Sequence, residues 1–132
     1  MPVGVITVTH GRIGTEVVEV AATILGTPAL PIHQFPFARS DDPEHLEDRL
    51  VESVQALDDG NGVLILTDLY GATPCNTAQR LTRNHRVRVL AGINLPMVLR
   101  VLNYASLDLE ALSHRAAEGG RIGIIDCHPE SD

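Results

Sequence analysis

Aromatic and basic side chains are scarce in this sequence. Of its 132 residues only 3% are aromatic and none is tryptophan, so the core must be built from aliphatic side chains, which suits packed strands and helices. Ten Lys and Arg residues stand against 17 Asp and Glu, which gives a formal net charge of -7. So few cations leave little to neutralise a phosphate backbone or an anionic membrane. We therefore expect no nucleic-acid partner and no membrane insertion.

Long apolar segments and a basic leader are also missing. The N-terminus runs from Met-Pro directly into the short apolar segment Val3–Val8, and no apolar run approaches the roughly 20 residues that span a bilayer. The two cysteines, Cys75 and Cys127, form neither a CxxC motif nor a secreted disulfide framework. These absences predict a cytoplasmic protein with free thiols.

Several motifs of catalysis are absent as well. The sequence has no P-loop, no G-x-G-x-x-G and no G-x-S-x-G, which argues against a nucleotide cradle and a hydrolase triad. Five of the six histidines lack ligand spacing such as HxxxH, so we expect no metal and no cofactor. These five are His33, His45, His85, His114 and His128.

What the sequence does contain is an alternation of β-branched and amphipathic segments. Strand patterns fall at Val3–Val8, Leu30–Phe35, Gly62–Thr67, Val87–Ala91 and Ile122–Ile125. Helical stripes precede Gly26 and Gly60, begin near Thr73, cover Val98–Tyr104 and Leu109–Ala116, and are expected to end at Gly119-Gly120. This alternation predicts one α/β domain over residues 1–132, a three-layer sandwich with a mostly parallel central sheet and helices on both faces.

Two reactive side chains follow predicted strands directly. His10 comes at the end of the first strand, before Gly11, and Asp68 comes at the end of the third. Ligands of open α/β sheets gather at the carboxyl ends of the strands. If the two strands are neighbours, Asp68 reaches one ring nitrogen of His10, fixes its tautomer, and leaves the other nitrogen as a nucleophile.

Candidate anion donors lie at the same predicted edge. A helix beginning near Thr73, after Gly71 and Ala72, offers free amides, a hydroxyl and a positive dipole end to phosphate oxygens. Asn94, after the fourth strand pattern, is either a further donor or the cap of the next helix. These residue types indicate phosphoryl or anion chemistry without deciding between them.

Three segments resemble a known family. Ile6–Gly11, Thr67–Ala78 and Ala91–Met97 are similar, in order and spacing, to the mannose-type IIA components of the bacterial sugar phosphotransferase system. The resemblance extends from Val3 to about Ile125. It implies a phosphotransferase component in which His10 accepts a phosphoryl group from the phosphocarrier HPr and passes it to a IIB partner.

The resemblance also implies roles for other residues and an assembly. Asp68 would orient His10, and Thr73 would contact phosphate. The protein would be a homodimer whose last strand, near Ile122, is antiparallel and exchanged between subunits. The sequence departs from the family pattern at Ala72, where a second glycine is common, and a positive φ there would add strain. We also expect no fused IIB domain, so any acceptor would be a separate protein.

Other functions remain open from the residues. Phosphorylation of His10 could act as a regulatory signal instead of feeding sugar uptake. The phosphotransfer subunits of dihydroxyacetone kinases share this fold. A non-catalytic module would bind a small anion at the Thr73 helix start without forming a covalent bond. In a purely structural subunit, His10 and Asp68 would only satisfy each other's hydrogen bonds.

Overall fold

A parallel sheet of four strands lies at the centre of the computed structural model, which describes residues 2–26 and 31–128. The strands are β1 (Gly4–His10), β2 (Ile32–Phe37), β3 (Val63–Thr67) and β4 (Val87–Ala91). Their order across the sheet is β2-β1-β3-β4. Val8 stands opposite Phe35 on one side and Thr67 on the other, so β1 and β3 are neighbours. The predicted α/β class is confirmed.

Helices connect the strands and cover both faces of the sheet. They are α1 (Ile13–Leu25), α2 (Pro43–Leu57), α3 (Thr73–Arg80), α4 (Leu95–Asn103) and α5 (Leu109–Ile122), with a 3-10 turn at Leu81–Arg83. The start of α2 follows the sequence pattern: Asp42 accepts a hydrogen bond from the amide of Glu44, and Pro43 is the first helical residue. No helix in the described ranges is long and apolar enough to cross a membrane.

The two faces of the sheet bury separate aliphatic clusters because successive strand residues point to opposite sides. On one face, Val5 and Leu64 pack with α1, α4 and α5, and on the other, Ile6 and Ile65 pack with α2 and α3. Both faces of the central strands are thus covered, which explains their nearly continuous apolar sequence. The site is carried by the ends of these two buried strands.

The expectation that Gly119-Gly120 ends the last helix is wrong. Both glycines lie inside α5, on the face that packs against α4. A Cβ on Gly119 would lie 2.3 Å from Cγ of Arg100, and one on Gly120 would lie 3.2 Å from Cε of Met97. The pair therefore serves close helix packing, which the sequence pattern alone did not separate from a helix stop.

The strand predicted at Ile122–Ile125 is not formed within the single chain. Ile122 is the last residue of α5, and residues 123–128 have no regular structure. Ile124 and Ile125 are 79% and 70% exposed. A β-branched segment forms a strand only where a neighbouring strand accepts its hydrogen bonds, and no described strand pairs with it. Leu30, the predicted start of the second strand, lies outside the described residues; the strand extends to Phe37.

Candidate functional site

Because all the described strands are parallel, their carboxyl ends meet at one edge of the sheet. His10 is the last residue of β1, and Asp68 directly follows β3. The loop that follows β4 is fastened to the same place: the amide of Gly92 donates to the carbonyls of Thr67 and Asp68, at 3.0 and 3.1 Å. The backbone on both sides of Asp68 is therefore fixed by its neighbours.

Asp68 contacts His10 as the sequence predicted. Its Oδ2 accepts a hydrogen bond from Nδ1 of His10 at 2.9 Å and another from the His10 backbone amide at 3.1 Å. The side chain of His10 is 48% exposed and that of Asp68 is 13% exposed. An ionised carboxylate only accepts hydrogen bonds, so Nδ1 carries the proton and Nε2 carries the lone pair of the neutral ring. The pair presents a nucleophilic nitrogen at an accessible edge.

Thr67 adds a buried hydroxyl next to this pair. It is fully buried at the end of β3, and its Oγ1 lies 3.5 Å from Oδ1 of Asp68. The two carboxylate oxygens therefore have separate neighbours, since Oδ2 is used by His10. Sequence reasoning missed Thr67, although its position immediately before the strand-end acid was a usable signal.

The loop between β3 and α3 resolves the question about Ala72. Gly71 has φ of +85°, whereas Ala72 has φ of -85° and ψ of 168°, an extended conformation open to any residue. The amide side chain of Asn76 donates to the Gly71 carbonyl at 3.0 Å and holds the turn. Ala72 is therefore not strained, and one glycine suffices in this loop.

The start of α3 is open, as an anion site requires. Thr73 is its first residue and is half-buried, Pro74 follows, and no side chain caps this end. Amides in the first helical turn have no intrahelical acceptor, so those of Thr73 and Cys75 remain as donors at the positive end of the helix dipole. The neutral threonine hydroxyl adds a third donor without introducing charge.

Asn94 occupies the capping position that was its alternative interpretation. Its Oδ1 accepts from the amide of Met97 at 2.9 Å, and its Nδ2 donates to the carbonyl of Gly120 at 3.0 Å. The side chain therefore starts α4 and ties it to α5. This geometry supports a structural role for Asn94 and leaves the anion donors to the α3 start.

Exposed apolar side chains flank the histidine. Tyr70 is 76% exposed and Leu69 is 60% exposed in the loop after Asp68, and Ile13 is 47% exposed at the start of α1. Apolar residues exposed together beside a reactive group are typical of a surface that contacts another macromolecule. In the described ranges, no three His, Cys, Asp or Glu side chains gather into a possible metal site.

Known proteins share this sequence and fold. The mannose-specific EIIAB component of the phosphotransferase system from Escherichia coli K12 is 28% identical over 127 residues, covering 94% of this chain and 39% of that protein. The transcriptional regulatory protein LevR of Bacillus subtilis is 27% identical over 114 residues, covering 83% of this chain and 12% of that protein. The chain thus spans about two fifths of the first relative.

A solved structure and a family description agree with this. The mannose/sorbose-specific IIA subunit from Enterococcus faecalis superposes with a TM-score of 0.85 at 25% identity, covering the whole of both chains. Residues 4–117 match the EIIA-man family, described as the fructose IIA component of the phosphotransferase system. That match includes every strand, His10, Asp68 and the start of α3. The chain belongs to the mannose-type IIA family of the sugar phosphotransferase system.

Proposed function

We propose that this protein is a phosphocarrier in which Nε2 of His10 accepts a phosphoryl group from phosphorylated HPr and passes it to a separate IIB component. The contact between Nδ1 of His10 and Oδ2 of Asp68, 2.9 Å long, carries the proposal. It supports a ring with its lone pair on the exposed nitrogen. Membership of the phosphotransferase family supplies the donor and acceptor classes.

The transfer needs only the two histidines and the phosphoryl group. The lone pair of Nε2 attacks phosphorus in line with the donor's phosphorus–nitrogen bond; the new bond forms as that bond breaks, and its electron pair returns to the donor ring. Positive charge develops on the His10 ring while Nδ1 keeps its proton. The Asp68 carboxylate stabilises that charge, and the reverse sequence delivers the group to the acceptor.

The start of α3 supplies donors for the phosphoryl oxygens. The amides in the Gly71–Thr73 segment and the Thr73 hydroxyl lie at the same edge of the sheet as His10, and this helix end has no side-chain cap. Charge that spreads over the equatorial oxygens during transfer is stabilised by such fixed dipoles. No metal and no cofactor take part in this scheme.

A protein donor fits the surroundings of His10 better than a small molecule does. The exposed side chains of Ile13, Leu69 and Tyr70 surround the two loops that carry His10 and Asp68. Such a surface gives a partner protein apolar contacts around the reacting nitrogen. The partners in the proposal are accordingly HPr as donor and a IIB protein as acceptor, all in the cytoplasm.

The proposal includes a homodimer. The segment after α5 leaves Ile124 and Ile125 exposed, and β4 stands at the end of the four-stranded sheet with one edge open among the described residues. Exposed β-branched side chains and an open strand edge both favour pairing with another chain. Exchange of residues 122–125 between two copies would satisfy both.

A regulatory role is the second candidate. LevR, which is described as a transcriptional regulatory protein, is 27% identical over 83% of this chain. In that case the two negative charges added at His10 would change the affinity for a regulatory partner instead of being passed to a IIB protein. The two roles share the first phosphorylation step and differ in the fate of the group.

Intact mass tests the first step. The wild-type protein and His10→Ala are incubated with Enzyme I, HPr and phosphoenolpyruvate and kept away from acid, because phosphohistidine hydrolyses there. We expect one phosphoryl group on wild type and none on His10→Ala. No addition to wild type, with HPr itself phosphorylated, would overturn the proposal and favour a non-covalent anion-binding module at the α3 start.

The fate of the group separates the remaining functions. Purified phosphoprotein is mixed in turn with IIB proteins, with candidate regulators, and with the ADP-bound subunit of a dihydroxyacetone kinase. Loss of the phosphoryl group to a IIB protein supports transport. Stable phosphorylation with altered binding to a regulator supports signalling, and transfer to ADP supports the kinase function.

A further inference from the structure

The chain turns sharply after His10, and few side chains hold that turn. Gly11 has φ of +51°, and its amide donates to the Phe37 carbonyl at 2.9 Å. Arg12 occupies the N-cap position of α1 but makes no side-chain capping bond. The usual means of fixing a helix start is therefore missing directly beside the reactive histidine.

Thr9 supplies the missing bond from inside the fold. Its side chain is 2% exposed. Its Oγ1 accepts a hydrogen bond from the amide of Gly14 at 2.9 Å and donates one to the carbonyl of Gly11 at 3.2 Å. One hydroxyl thus joins the last turn of the chain before α1 to the first turn of α1, and it satisfies an amide that the helix leaves free.

Tight packing fixes the direction of these bonds. A Cβ added to Gly14 would lie 3.0 Å from Cγ2 of Thr9 and 2.9 Å from Cβ of Thr7, so α1 lies directly on this face of β1. A β-branched side chain in such contact has one available rotamer. The Thr9 hydroxyl is therefore held where both of its partners need it.

Thr9 and His10 share the peptide unit that meets Asp68. The amide of His10 belongs to the Thr9–His10 peptide, and it donates to the same Oδ2 of Asp68 that accepts from Nδ1. Both bonds form only while this peptide and the following turn keep one orientation. A change in the turn would move the imidazole relative to the carboxylate.

We propose that Thr9 is a positioning residue whose hydroxyl fixes the turn from His10 to Gly14, so that Asp68 meets both the amide and Nδ1 of His10. The inference rests on the proposed phosphocarrier function for the reaction that this positioning serves. Without the hydroxyl, the Gly14 amide loses its acceptor and the turn gains freedom. We expect phosphoryl uptake to slow by about tenfold to a hundredfold.

The test compares three variants. Thr9→Val replaces the hydroxyl by a methyl group of similar size, and Thr9→Ser keeps the hydroxyl and removes the methyl. Thr7→Val is the matched control, because Thr7 is also 2% exposed, lies on the same strand and also contacts Gly14. The rate of phosphorylation by HPr is measured together with the 15N spectrum of the His10 ring and the water exchange of its Nδ1 proton.

The ring spectrum is the readout that a merely structural role would not move. We expect Thr9→Val to slow phosphorylation, mix the ring tautomers and speed exchange of the Nδ1 proton, while Thr9→Ser and Thr7→Val resemble wild type. A wild-type ring spectrum and rate in Thr9→Val would overturn the proposal, as would equal effects in Thr7→Val. Thr9→Cys, with weaker hydrogen bonds, replaces Thr9→Val if that variant does not fold.

The ring spectrum also keeps this proposal distinct from the proposed function. If wild type accepts no phosphoryl group, the phosphocarrier function fails. A changed ring tautomer in Thr9→Val alone would still support the positioning role of Thr9, and an unchanged one would overturn it.

Discussion

Asp68 holds His10 at two atoms through a single oxygen. Its Oδ2 lies 3.1 Å from the backbone nitrogen of His10 and 2.9 Å from Nδ1. The backbone bond sets where the end of β1 stands against Asp68, and the ring bond sets the imidazole relative to that point. The orientation of the nucleophile therefore follows directly from the pairing of β1 with β3.

Asp68→Asn should slow phosphorylation of His10 by about a hundredfold. The amide is nearly the same size but lacks the negative charge that favours the developing imidazolium, and one of its two ends donates instead of accepting. The rate of phosphoryl uptake from HPr is the measurement. Asp108→Asn is the control, because Asp108 caps α5, whose first residue, Leu109, lies against Gly62 at the opposite end of β3. Equal rates in the two variants would contradict the role of Asp68.

Gly71→Ala should lower the free energy of unfolding by about 1 kcal/mol, because an alanine at φ of +85° is strained even though open space surrounds its Cβ. Ala72→Gly should lower it by about 0.5 kcal/mol, because glycine has more freedom in the unfolded chain. Urea unfolding measures both. Stabilisation by Ala72→Gly would mean that Ala72, and not Gly71, is the strained position.

Asn94→Ala should lower the free energy of unfolding by about 2 kcal/mol. The change removes the cap of α4 and also the bond from Nδ2 to Gly120 that ties α4 to α5. Asp108→Ala removes only one capping bond, to the amide of Ala111, and should cost about 1 kcal/mol. Thermal or urea unfolding compares the two. Equal losses would indicate that the bond to Gly120 contributes nothing to stability.

Tyr70→Ser should raise the KM for phosphorylated HPr by about tenfold and leave kcat and the melting temperature unchanged. Tyr70 is 76% exposed, so its loss removes little packing, while an aromatic side chain beside a docking site often contributes strongly to binding. Ile24→Ser is the control, because Ile24 is 57% exposed near the far end of α1. An unchanged KM in Tyr70→Ser would remove this loop from the docking surface.

The parts of the fold that depend on local chemistry were predictable. Continuous β-branched segments marked the two central strands, and Asp42 with Pro43 marked the start of α2. Parallel strands then placed His10, Asp68 and the α3 start at one edge by topology alone. These predictions needed only periodicity, capping and the geometry of crossovers.

Long-range packing decided what local pattern left ambiguous. A glycine pair stops a helix or brings two helices together, and only the contacts with α4 show that Gly119-Gly120 does the second. A β-branched segment becomes a strand only beside an edge with free hydrogen-bonding groups, so Ile124 and Ile125 remain exposed in the single chain. Asn94 was either a ligand donor or a cap until Met97 and Gly120 met its two ends.

The sequence by itself determined which residue types stand at the ends of the strands: an imidazole, a carboxylate and an uncapped helix start. The tertiary structure alone decided that one oxygen of Asp68 meets two atoms of His10, and that Thr9 closes the turn from within. The physical reason is range. Strand and helix patterns arise from neighbours a few residues apart, whereas these bonds depend on the register and separation of segments that only the packed core brings together.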